Sequence, residues 1–224
     1  MKKNNLVAMT AGALLALSGA AFAQTAVTAV TDLNVRSGPG PQYPVIGLIN
    51  AGAGADLNGC LENSKWCRVN NAGAEGWVYS DYLSADFGGT AAVVTQRPTT
   101  AEIPVVSYEA PQGGGGAVTG GVTGALAGAL IAGPIGAAIG GVAGAAIGGT
   151  AEGTVAPPPE TVTTYVRTNQ LEPVYLDGEV VVGASLPDTV ELREVPDYEY
   201  RYVYVNGQPV LVEADTRRIV YIVR

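Results

Sequence analysis

The sequence predicts a mainly β protein: a small β-barrel, a flexible linker, a Gly/Ala-rich α-helical hairpin and a small C-terminal antiparallel β domain. Three observations carry that reading. Short apolar-alternating runs, punctuated by Gly, Pro and Asn turns, fill 24–85 and return at 161–224. Between them, 86–116 is rich in Thr, Pro and Gly and lacks the apolar density to order itself. Residues 117–149 then carry no charge and include 11 glycines.

In the first unit, 27–30 and Asn34-Val35 start the strands. Gly38-Pro39-Gly40-Pro41 breaks any helix and makes a turn-rich loop. Further strands are expected at 45–49, 55–58, 66–69 and 76–79, with a hairpin tip at 60–65 and a turn at 71–75.

Three motifs stand in order within that unit. They are Leu33-Asn34-Val35-Arg36-Ser37-Gly38-Pro39-Gly40, then Trp66-Cys67-Arg68-Val69, then Gly76-Trp77-Val78-Tyr79 closing on Asp81-Tyr82-Leu83. Together they resemble the bacterial SH3-like (SH3b) domain. The resemblance implies an envelope binding module, since such barrels recognise peptidoglycan stem peptides or cross-bridges along a shallow groove. Tyr43, Trp66, Tyr79 and Tyr82 are the aromatic candidates for that groove. Arg36 is the candidate for a bidentate contact to a ligand carboxylate. The same residues have plainer readings: the tryptophans as core, and Arg36 as a pin holding the loop through backbone carbonyls.

Met1 to Ala23 reads as a secretory signal: Lys2 and Lys3, an apolar run at 6–17, and Ala21-Phe22-Ala23 as the cleavage site. Gln24 rather than Cys follows, so lipid attachment there is not expected. Export to the periplasm or cell envelope makes a Cys60–Cys67 disulfide the expected state of the two cysteines, with two buried free thiols as the alternative. After cleavage the chain holds 10 basic and 20 acidic residues, a balance that disfavours nucleic acid. It has no histidine, so neither a Cys-His pair nor a His-ligated zinc site can be built. No metal and no cofactor are expected, and the reading is non-catalytic.

Small residues recur every four positions through 117–149, which resembles a glycine zipper. Gly120, Gly124, Gly128, Gly136, Gly140 and Gly144 are the expected helix-packing positions, and Gly133-Pro134 divides the segment into a hairpin. Eleven glycines cost roughly 10 kcal/mol of helix propensity, so such helices need a membrane or a close partner helix; the alternative is a flexible Gly/Ala tract. A Pro-rich spacer follows at 150–160.

In the last unit Tyr198, Tyr200, Tyr202 and Tyr204 alternate with Val203 and Val205. Asn206-Gly207 marks a type I′ turn, 209–213 returns, and 218–223 forms a third strand. Runs at 179–182 and 189–195 are expected to extend the sheet. The pattern resembles a small domain of unknown function of exported alphaproteobacterial proteins. The whole therefore reads as an exported envelope protein binding cell-wall peptide or a periplasmic protein, with membrane association or homo-oligomerisation through 117–149. The alternative is a structural glycine-zipper oligomer, or a membrane-associated envelope or stress protein that does not bind cell wall.

Overall fold

The computed structural model describes residues 25–109 and 156–224. The secretory signal with its cleavage after Ala23, the hairpin at 117–149 with its packing glycines, and residues 150–155 of the spacer lie outside the described residues. Among those described, two antiparallel sheets and one α-helix make the fold. No described helix is long and apolar enough to cross a membrane.

The first sheet has eight strands: β1 (Thr25–Ala29), β2 (Leu33–Arg36), β3 (Val45–Ile49), β4 (Gly54–Cys60), β5 (Trp66–Asn71), β6 (Ala74–Tyr79), β7 (Leu83–Asp86) and β8 (Ala91–Val93). Their order is β3-β2-β6-β5-β4-β1-β7-β8. Alternation sends Val27, Leu33, Val35, Leu57, Cys67, Val69 and Val78 into one buried cluster. Gly76 lets β6 and β2 approach, because a Cβ there would lie 2.3 Å from Val35 Cγ1.

Two departures from the sequence reading follow from pairing partners that lie far away in the chain. The stretch expected as flexible linker instead contributes β8 to the sheet, pairing Ala85 with Ala92. It then runs back along the end of β4, where Cys60 N donates to Pro104 O at 2.9 Å and Val106 N to Cys60 O at 3.0 Å. This segment, 103–108, forms a strap with Ile103 buried beneath it.

The second sheet is β9 (Arg193–Glu194), β10 (Arg201–Val205), β11 (Gln208–Val212) and β12 (Ile219–Ile222), in the order β12-β11-β10-β9. Asn206 and Gly207 both take positive φ, 50° and 77°, as the expected I′ turn requires. One face carries Tyr202 and Tyr204 under helix α1 (Glu160–Thr168). Tyr202 Oη donates to Asn169 O, and Tyr204 Oη to Val166 O. The other face carries Val203, Val205, Val210 and Val212 into the same cluster as the first sheet's core.

The helix was not expected, because Thr, Val and Tyr dominate its sequence and favour strands. Val162 and Val166, one turn apart, bury against Leu211 and Val220, and tertiary packing overrides propensity. The run at 179–182 is not a strand either. It forms part of a loop, 174–190, that lies between the two sheets and supplies Leu176, Val180 and Val181 to the shared core.

Candidate ligand-binding site

The five groove candidates fall into three places. Trp66, Tyr79 and Tyr82 form one cluster, with ring centroids 5.5 Å apart for Trp66–Tyr79 and 6.2 Å for Tyr79–Tyr82. All three are buried, at 7%, 9% and 2% exposure, in the core shared with Leu176 and Val180. They are core residues, therefore, rather than an open groove. Burial pushes the Tyr82 phenol well above its ordinary value, and the neighbouring Asp81, Tyr79 and Glu179 add to the shift. Tyr79 is raised for the same first reason, and Asp177 of the second unit contributes.

Arg36 is 1% exposed and does meet a carboxylate bidentately, but the carboxylate belongs to this chain. Its Nε donates to Glu179 Oε2 at 2.5 Å and its Nη2 to Glu179 Oε1 at 2.6 Å. Its Nη1 also donates to Pro41 O and Tyr43 O, which pins the 37–44 loop. Asn34 adds hydrogen bonds to Glu179 and Gln208. Asn206 completes the network from the turn: its Oδ1 accepts from Leu176 N and its Nδ2 donates to Gly178 O, fixing the loop that carries Glu179.

Tyr43, half-buried, lies apart from the other aromatics. It meets Tyr108 of the strap edge-on at 5.8 Å, and Tyr108 meets Trp77 at 5.5 Å. The sequence reading missed Tyr108, because the strap carried no strand or turn signal to place it.

An open cleft of about 430 Å³ lies between the Cys60–Cys67 hairpin and the strap. The cysteines face each other in register on β4 and β5 and are joined as a disulfide, so the hairpin tip is tied at its base. Glu62, Asn63, Ser64 and Lys65 line one wall; Arg97, Ile103 and Pro104 line the other. Lys65 Nζ lies 2.7 Å from Asp81 Oδ2 and 5.7 Å from the Tyr79 ring centroid. The Asp81 hydrogen bond raises the Lys65 pKa, so its ammonium keeps its charge. Arg97 is anchored through Val94 O and Ala101 O while the residue stays exposed. The cleft thus offers Arg97, the Asp81-paired Lys65 and a polar wall that includes Glu62 to a small polar, amide-rich ligand.

The chain also has sequence relatives. Residues 31–84 match the family model described as bacterial SH3 domain, and residues 165–224 match a domain of unknown function, DUF1236. The Bacillus subtilis (strain 168) protein named "Putative N-acetylmuramoyl-L-alanine amidase YrvJ" is 31% identical over 83 residues, 37% of this chain and 15% of that protein. The chain therefore spans under a sixth of that relative's length. No solved structure matches. A bacterial SH3 domain and a C-terminal domain of unknown function are accordingly the two recognisable units of this molecule.

Proposed function

We propose that this is an exported, non-catalytic cell-envelope protein whose SH3-like unit binds cell-wall peptide. The observation that carries the reading is the open polar cleft, with Lys65 and Arg97 in its lining, at the disulfide hairpin of a unit that matches the bacterial SH3 model. Cell-wall stem peptides are short, carboxylate-bearing and rich in amides. Lys65 and Arg97 suit the carboxylates, and the hairpin and strap backbones suit the amides. The partial likeness to a protein named as a muramoyl-alanine amidase supports the same ligand class. The lack of histidine supports a role without catalysis. The glycine-rich segment 117–149 would associate with a membrane or with itself, and two weak elements on one chain raise each other's effective concentration.

The test is co-sedimentation of the mature full-length protein with isolated peptidoglycan sacculi. Wild type is expected in the pellet at low salt, with the Lys65→Ala/Arg97→Ala variant bound about tenfold more weakly. A wild-type protein that stays in the supernatant at low salt would remove the cell-wall reading.

A further inference from the structure

The strap crosses a groove that the first sheet would otherwise leave open. β1 covers the edge of β4 only as far as Leu57, leaving the end of β4 free for residues 104–106. Gly59, Arg68 and Trp77 are direct partners across β4, β5 and β6 and so share one face of the sheet. A Cβ on Gly59 would lie 2.5 Å from Pro104 O and 2.6 Å from Val106 Cγ1, so the strap rests on that face at its first strand. Tyr108 reaches Trp77 on the third strand. Arg68 stands between these two points in the cross-strand row.

Arg68 forms no ion pair among the described residues, and its buried Nε–H has no hydrogen-bond partner. A buried donor without a partner carries its full desolvation cost. The strap is therefore an imperfect occupant. Two backbone hydrogen bonds and one buried side chain, Ile103, hold its first half, while Val105 is 70% exposed.

We propose that the Gly59–Arg68–Trp77 row, flanked by Tyr43, is a docking groove for an extended peptide; that residues 103–108 fill it in cis; and that the partner replacing them carries a carboxylate opposite Arg68. The recognition mode is strand addition. Backbone pairing to Cys60 holds the peptide, Gly59 admits its close approach, and an aromatic side chain is seated between Tyr43 and Trp77. A carboxylate on the inward position that Val106 now takes supplies the acceptor Arg68 lacks. The strap also forms one wall of the cleft assigned to cell wall, but Lys65 and Arg97 lie outside the Gly59–Arg68–Trp77 row, so the Lys65→Ala/Arg97→Ala variant separates the two sites.

The experiment measures binding of a labelled synthetic peptide, copying residues 103–108 with Glu in place of Val106, to the full-length chain. Tyr108→Ala loosens the internal strap and is expected to bind this peptide about tenfold more tightly than wild type, because more of the protein is then competent. Against the same peptide with Gln in place of Val106, the Glu peptide should bind about tenfold more tightly, and Arg68→Gln should erase that preference. Should Tyr108→Ala fail to fold, Ile103→Ser replaces it under the same criteria. Equal binding by wild type and the loosened variant, or no preference for Glu over Gln, would overturn the proposal.

Discussion

A guanidinium and a carboxylate each almost wholly excluded from water, at 1% and 0% exposure, set the chemistry at the scale of single residues. Arg36 and Glu179 satisfy each other bidentately, carbonyl oxygens accept from Arg36 Nη1, and the Val180 amide donates to Glu179 Oε1, which is the condition for a tolerable buried pair. Tyr82 sits in the same region and brings a pH dependence. Its phenol is raised above the ordinary value of 10.0, chiefly by burial. For a folded pKa raised in this way, the unfolded chain ionises first as pH climbs. The contribution to stability is therefore complete below pH 10 and is lost above it. The expected outcome is a urea midpoint that falls as pH climbs above the ordinary phenol value, with part of the phenolate absorbance appearing only as the protein unfolds. Full phenolate absorbance before unfolding would contradict a buried Tyr82.

At the level of elements, the hairpin tie and the strap show which parts of the fold were legible in the chain. The disulfide joins cysteines seven positions apart and acts mainly by restricting the unfolded ensemble, a contribution of about 2–3 kcal/mol. Reducing it, or replacing both cysteines by Ser, should lower the urea midpoint accordingly without changing the strand content seen by circular dichroism. A midpoint insensitive to reductant would show the tie to be energetically idle. The hairpins β4–β5, β5–β6 and β10–β11 could be read because their partners are adjacent and their turns carry Gly or Asn signals. The strap, the helix and the 174–190 loop could not, since each is ordered by residues far off in sequence. One signal was present nonetheless. Glu179 directly precedes Val180, Val181 and Val182, and Arg36 is a lone cation beside Val35 in a buried strand. Opposite charges set against apolar runs invite the pairing that the structure displays.

For the whole molecule, the shared core decides how the protein unfolds. Valines from both sheets, together with Trp66, Tyr79 and Tyr82, form one cluster bridged by Arg36 and Glu179. Glu179→Ala leaves the Arg36 charge buried without its carboxylate, at a cost of about 3–5 kcal/mol. Both tryptophans, Trp66 and Trp77, lie in the first sheet, whereas Glu179 lies in the second unit, so fluorescence reports on the unit that does not carry the substitution. If the two units unfold as one, Glu179→Ala should shift the tryptophan midpoint in urea as far as the circular dichroism midpoint. Two separable modules would instead leave the tryptophan transition where it was and move only the far-ultraviolet signal. Coincident shifts are expected here, because Trp66, Tyr79 and Tyr82 share one buried cluster with Leu176, Val180 and Val205 of the second unit.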